Sequence, residues 1–241
     1  MTTFARTDEQ RMLAEALDSA LAQAGGEANW AAAVTATGVD ALGVSEEAGG
    51  LGTDPRDAAV VAAAFGRANV ELPWAEHWVA ARLGATGEAP LSLAPMAETQ
   101  DWAADAVTLL HCAELVGLCR AMLRAAALFA KERKQFGVAI ASFQALRHRM
   151  ADMAMMLEQA EAITGAALDA LDGKAEGRAR AVSAARVTCD DAARIVGEGA
   201  VQIHGAMGLT AEMSVGGYFR RARALAQRDG TARQHLRRYA A

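Results

Sequence analysis

Helical periodicity constrains this 241-residue chain most: it runs almost unbroken from about Trp102 to the C-terminus. It divides into a helix from Trp102 to about Lys134, a second from Ser142 to about Leu171, a third from Gly177 to about Gly199, and a last one between Ser214 and Ala240. At 1.5 Å per residue these helices reach roughly 30 to 50 Å. Four long helices joined by short glycine-containing turns make a four-helix bundle. Composition agrees, since 53% of residues are hydrophobic but mostly alanine and leucine, aromatics are 5%, and there are only 4 prolines. Strands favour β-branched and aromatic residues, whereas Ala, Leu, Met, Arg and Glu suit helices. The fold class expected is all-α.

The first third is also helical. Thr7-Asp8-Glu9-Gln10 reads as a capping box, and Met12, Leu13, Ala16, Leu17 and Leu21 behind it fall on one helical face. Gly25-Gly26 ends that helix, and a short helix around Trp30 to Val34 follows. Beyond the glycine-rich turn Glu46 to Gly52, Asp54-Pro55 starts a helix running to about Asn69, because a capping side chain precedes proline at the first helical position. Another helix covers Trp74 to Leu83. The stretch from Gly84 to Thr99 is different, with two prolines and an apolar alternation long enough for one or two strands at most. It marks a boundary, giving an N-terminal helical domain over 1–83, a vestigial linker over 84–101 and a C-terminal bundle over 102–241.

Charge narrows the partners. Lys and Arg number 24 and Asp and Glu 29, so the formal charge is −5, with both signs mixed along the chain. No basic block interleaved with aromatics suggests nucleic acid. The arginines near the end (Arg220, Arg221, Arg223, Arg233, Arg237, Arg238) read as a solvated or anion-facing helix flank. Cys112, Cys119 and Cys189 lack metal or redox spacing and read as small core residues. Met150, Met153, Met155 and Met156 read as core filler and not as a metal site. With no apolar signal core and no apolar run long enough to span a bilayer, the chain is expected to be soluble and cytoplasmic, with no membrane partner.

Two blocks carry chemistry. The first is Arg133-Lys134-Gln135-Phe136-Gly137, followed by Ser142-Phe143-Gln144 and Ala151-Asp152-Met153. The second is Val201-Gln202-Ile203-His204-Gly205-Ala206-Met207-Gly208, followed by Tyr218-Phe219-Arg220-Arg221-Ala222-Arg223. An arginine fork suits pyrophosphate oxygens, and a glycine-rich turn lets backbone approach a ligand. The bland readings stand beside these. Arg133 can be a surface charge at a helix C-terminus, Gly205 and Gly208 a helix stop, and His204 a packed histidine. Glu114, inside the apolar run Leu109 to Leu118, either pairs with an arginine across the bundle or faces the active-site cavity.

The two blocks, in this order and spacing, resemble the C-terminal signatures of the acyl-CoA dehydrogenase family, and "L-G-V-S-E-E-A-G-G-L-G" and "F-G-R-A" resemble its N-terminal ones. The resemblance covers nearly the whole chain. It implies an N-terminal helical domain plus a C-terminal four-helix bundle of that type, with the family's middle β domain essentially absent. It also implies α,β-desaturation of a CoA thioester, in which a carboxylate removes the α proton and FAD takes a hydride. In homomeric relatives the bundle reaches across to the ADP half of a neighbour's FAD. By resemblance, Arg133, Gln135, Phe136, Gln144, Gln202, Gly205, Ala206 and Thr231 are the cofactor-binding residues. Ala206 stands where glycine is usual. Asp229, in Arg228-Asp229-Gly230-Thr231, stands where the family has its catalytic glutamate. Either it is a base shortened by one methylene or it is a relic.

Without a flavin-holding middle domain, the resemblance implies one subunit of a heteromeric enzyme sharing FAD with a full-length dehydrogenase subunit, as an α2β2 assembly acting on bulky thioesters such as steroid side chains or ring fragments. The alternatives are a flavin-free helical scaffold and a stand-alone dehydrogenase using Asp229.

Overall fold

The structure is a computed structural model describing residues 4–24, 27–52, 54–84, 97–173, 175–210 and 213–241. Nine α-helices are found among the described residues: α1 (Asp8–Gln23), α2 (Glu27–Ala36), α3 (Pro55–Ala68), α4 (Trp74–Arg82), α5 (Ala97–Glu132), α6 (Gln144–Asp169), α7 (Ala175–His204), α8 (Ser214–Leu225) and α9 (Ala232–Ala240). A two-stranded antiparallel ribbon, β1 (Lys134–Gln135) and β2 (Val138–Ala139), joins α5 to α6. The all-α expectation holds. Gly25-Gly26 and most of the Gly84–Thr99 stretch, including any strand it might supply, lie outside the described residues. Fourteen residues, 83–96, separate α4 from α5, too few for a folded β domain.

Helix starts follow local chemistry. The Thr7 side chain accepts from the Gln10 amide while Gln10 reaches back to the cap, closing the capping box. Asp54 accepts from the Arg56 amide, with Pro55 behind it. The buried face of α1 differs from expectation. Gln10, Ala14, Leu17 and Leu21 point inward, whereas Met12 is 61% exposed and Ala16 faces solvent. The reason is polar: Gln10 Nε2 donates to Asp57 of α3 at 2.9 Å, which turns that face of the helix to the core.

α5 is the axis of the fold, with α1 reaching it through α3 and α9 through α7. It touches α3, α4, α6, α7 and α8, and one apolar core is continuous from Leu17 and Val60 to Leu157 and Val196. α5 was not expected to be apolar enough for a bilayer, yet an 18-residue window within Asp101–Glu132 reaches a mean hydropathy of 1.5. That window is 78% buried inside the fold, which accounts for its composition. The three cysteines are buried and free, as expected. Of the methionines, Met153 is buried but Met155 is 56% exposed, because only every third or fourth residue of α6 faces inward.

α3 and α5 meet without side chains between them. A Cβ on Gly117 would lie 2.2 Å from the Ala63 carbonyl oxygen, and one on Gly66 would lie 2.2 Å from the Glu114 carbonyl oxygen. Gly117→Ala is therefore expected to force the helices apart at a cost of about 1–3 kcal/mol. Thermal melting should fall by about 2–12 °C; an unchanged melting temperature would show that the helices can part freely.

The last helix corrects the sequence reading, for it is two. α8 stops at Leu225, the chain turns through Asp229 (φ +60°) and Gly230 (φ +97°), and Thr231 opens α9 with a second capping box. Several of the terminal arginines are also more than a solvated flank. Arg221 pairs with Glu114, and Asp105, itself buried, takes Arg178 Nε at 2.8 Å and Arg238 Nη1 at 2.6 Å.

Candidate functional site

The residues singled out in the sequence fall into two places. Arg133, Gln135, Phe136, Gln144, Gln202, Gly205 and Ala206 gather at the bundle end where α5 finishes, α6 begins and α7 finishes. The stacking of Phe129 of α5 on His204 of α7, with ring centroids 4.5 Å apart, joins the two halves of that end. Asp229 and Thr231 lie elsewhere, beside His111 of α5. From His111 to Arg133 is 22 residues of nearly continuous helix, ~33 Å at 1.5 Å per residue.

At the first place the ribbon carries the chemistry outward. Phe136 and Gly137 both have positive φ, +52° and +81°, so the ribbon closes through a two-residue turn of the I′ kind. Such a turn usually takes Asn-Gly or Gly-Gly, and phenylalanine there is sterically disfavoured. The result is a phenyl ring at the tip that is 91% exposed, held edge-on to Phe143 with centroids 6.3 Å apart. The ribbon's base is fixed by hydrogen bonds from the Arg133 amide to the Phe129 carbonyl and from the Ile140 amide to the Arg133 carbonyl. Arg133, Gln135, Gln144, Gln202, Gly205 and Ala206 are all solvent-facing. α6 begins at Gln144 behind Phe143, whose side chain offers no cap. The Leu146 amide already donates to the Phe143 carbonyl at 3.1 Å, which leaves the Gln144 and Ala145 amides to meet an anion, a feature the sequence reading missed. α7 ends in Gly205 at φ +64°, where an added side chain would meet nothing within 4 Å, so the turn leaves open space. Donors of this kind, with an arginine fork among them, fit a dinucleotide pyrophosphate. His204 is structural, as read: its Nδ1 lies 2.8 Å from the Ala200 carbonyl.

At the second place Asp229 is held from two sides. His111 Nδ1 donates to Asp229 Oδ2 at 2.7 Å, and Arg186 Nη1 approaches the same oxygen at 3.5 Å. Arg186 is fully buried and also donates through Nη2 to the carbonyls of Leu225 and Arg228, both at 3.0 Å. One guanidinium thus fixes both the turn and its carboxylate. Neither His111 nor Arg186 was anticipated. The available signal was an arginine on the apolar stripe Val182, Ala185, Cys189, Ala193 of α7. Thr231 uses its hydroxyl within its own capping box with Gln234.

Arg186 also approaches Asp190, at 3.3 Å. Burial is the main reason that the Asp190 carboxyl is pushed up to about 6, with Arg186 opposing and Asp191 and Asp229 adding to it. A carboxyl raised above its unfolded value binds protons more tightly when folded, so its ionisation weakens the fold as pH rises through about 4 to 6. Asp190→Asn should remove that penalty. The melting-temperature advantage of the variant over the parent should widen between pH 4 and pH 7; a constant gap would overturn the assignment.

Glu114 bears out the pairing of its two sequence readings. Its Oε1 accepts from Arg221 Nε at 2.7 Å and again from Nη2, and it lines a cavity of about 470 Å³ between the 69–75 segment, α5 and α8. Burial still pushes its carboxyl up, against the pull of Arg221.

Residues 102–241 match the family model for the acyl-CoA dehydrogenase C-terminal domain. The chain belongs to the acyl-CoA dehydrogenase family. Among its relatives is acyl-CoA dehydrogenase IpdE2 of Mycolicibacterium smegmatis, 38% identical over 135 residues, which are 56% of this chain and 42% of that protein. The chain thus spans less than half the length of that curated relative. Across its whole length it matches a chain of the ChsE4-ChsE5 complex from Mycobacterium tuberculosis, with TM-score 0.83 at 17% identity, covering 98% of this chain and 97% of that one. It also matches a chain described as Tcur3481-Tcur3483 steroid ACAD G363A variant, with TM-score 0.82 at 16% identity and 97% coverage of each. At these identities the likeness is one of fold, and it is a fold without the middle β domain.

Proposed function

We propose that the chain is the non-autonomous subunit of a heteromeric FAD-dependent acyl-CoA dehydrogenase, in which a full-length relative holds the flavin ring and the catalytic glutamate. In this reading the chain divides at 84–101, where full-length relatives have the β domain, and its bundle end closes the ADP half of the partner's cofactor. FAD supplies the hydride acceptor. Arg133 and the α6 N-terminus orient its pyrophosphate, Gln135, Gln144 and Gln202 hold the surrounding polar atoms, and Phe136 with the Gly205-Ala206 turn packs beside them. Thr231, ~33 Å along α5 from that end, does not share this nucleotide end and serves any flavin only through the second face.

The single observation behind the proposal is the exposed constellation itself. A 91%-exposed phenyl ring on a disfavoured turn, ringed by unshielded donors, has no wall opposite it among the described residues, which supports a wall provided by another chain. The complex named for the structural relative suggests an unlike partner, and the steroid dehydrogenase suggests a bulky thioester. Both enter by analogy, as does an α2β2 stoichiometry in the cytoplasm. The test is purification. Alone, the chain should be colourless; co-expressed with a full-length dehydrogenase encoded beside it, it should co-purify as a yellow complex that reduces a dye with a CoA thioester. A yellow, active homo-oligomer of this chain would overturn the proposal.

A further inference from the structure

A pocket of about 280 Å³ opens between the starts of α1 and α3 and the 37–51 segment. Leu13, Val39, Leu42 and Leu51 give it an apolar lining, of which Leu51 is 57% exposed. Glu9, Asp54 and Asp57 also line it, and no cation does among the described residues. None of these three carboxylates has an ion pair with a described residue. Asp54 caps α3 and Asp57 accepts from Gln10. Burial pushes the Asp57 carboxyl up, the Gln10 hydrogen bond opposes this, and Asp54 and Glu9 add repulsion. The ribbon has the opposite character. Phe136 at its tip is 91% exposed, and Lys131, Arg133 and Lys134 face solvent beside it with Glu132 as their one neighbouring carboxylate. The two features sit at opposite ends of α6. The ribbon leads into its first residue, Gln144, and its last, Asp169, accepts from Arg56 Nε at 3.0 Å next to Asp57. The 26 residues of α6 put ~39 Å between them, so a chain cannot fill its own pocket. Charge follows the same axis: residues 1–83 carry 12 acidic and 5 basic side chains, and residues 102–241 carry 14 and 19.

We infer that the chain, while its ribbon is uncovered, associates head-to-tail with a second copy of itself. The Phe136 ring of one copy enters the pocket of the next, and Arg133 and Lys134 meet Glu9, Asp54 and Asp57. One large buried ring supplies the anchor, and the complementary charges set the register and speed encounter. The contact is heterologous. Each copy keeps one free ribbon or pocket at the end of the assembly, so the contact propagates into open chains instead of closing a dimer. A partner subunit seated over the ribbon excludes this association; that exclusion alone rests on the nucleotide reading.

The test is sedimentation velocity of the isolated full chain over an about hundredfold range of concentration, at about 50 and about 500 mM salt. The weight-average mass should climb with concentration at the lower salt and fall towards monomer at the higher, because exposed charge pairs are screened. Phe136→Asn removes the ring and suits the left-handed turn better than phenylalanine. Glu9→Lys combined with Leu51→Ser spoils the pocket at two solvent-facing positions, so both variants fold. Each should weaken self-association about thirtyfold. Mixed in equal amounts, the two variants hold one intact ribbon and one intact pocket between them, so the mixture should form dimers and nothing larger. A parent that stays monomeric, association indifferent to salt or to both variants, or a mixture that remains monomeric or grows past the dimer would overturn the inference. No flavin enters the measurement, so a colourless complex with the partner would defeat the nucleotide proposal and leave this one standing.

Discussion

Alanine at Arg133 and Gln144 together is expected to remove flavin from the co-purified complex while leaving its helicity and assembly unchanged. Both side chains are solvent-facing, and surface changes of this kind usually move stability by no more than about 0.5 kcal/mol. Neither side chain has a hydrogen bond or ion pair to any described residue. Their proposed contacts lie on another chain's cofactor, where a hydrogen bond to a charged group is worth about 1.5–3 kcal/mol. Arg133→Ala alone should therefore weaken retention roughly tenfold to a hundredfold, and the double variant further. The measurement is flavin absorbance per complex after extensive dialysis. Lysine at Arg133 should rescue only in part, because a point charge does not reproduce the fork. If flavin content holds in the double variant, the chain is a helical scaffold that has kept the fold and lost the cofactor.

The second large effect concerns Asp229. Its carboxylate is the partner of a fully buried guanidinium and of a buried imidazole. Removing one partner of a buried pair costs about 3–5 kcal/mol when the other charge is left alone in the core, and because Arg186 keeps Asp190 at 3.3 Å the lower end, about 3 kcal/mol, applies. Asp229→Ala should thus lower the melting temperature by roughly 6–12 °C. Asp229→Asn keeps the shape and loses the charge, and should fall between. Turnover of the assembled complex per bound flavin should be unchanged in the asparagine variant, since the partner supplies the base. The same geometry accounts for Asp229→Glu: a longer carboxylate collides with its own ion pairs, so it should destabilise the turn and create no activity in the isolated chain. Turnover that collapses in Asp229→Asn while the fold stays intact would make Asp229 the base and restore the stand-alone reading.

Much of the fold was legible where the physics is local. Thr7 and Gln10, Asp54 and Pro55, and the long apolar periods of α5, α6 and α7 each specify a helix through neighbours a few residues away. The ribbon's residues were legible as a motif, but their exposure was not. The presentation of Phe136 depends on a left-handed backbone at a non-glycine residue, which sequence rules treat as an exception. The break between α8 and α9 was blurred because Arg228 and Gln227 are good helix formers. α8 nevertheless ends at Leu225 in a turn over Ala226 to Arg228, and the left-handed Asp229 and Gly230 keep α9 from continuing it.

By itself the sequence determined that this is a helical chain, that fewer than 20 residues stand where the family has a β domain, and that the family's two C-terminal motifs are present. Those conclusions rest on spacing and propensity, which act over a turn or two of chain. Tertiary structure decided the rest. Gln10 faces inward because Asp57 of another helix accepts its proton. Asp229 is held in an ion-pair network because the fold places it against His111, 118 residues earlier in the chain, and against Arg186. The pairing of Glu114 with Arg221 emerges only when α8 is laid beside α5. Desolvation and charge pairing depend on what surrounds a group in space, and for these residues the surroundings are assembled from helices far apart in sequence.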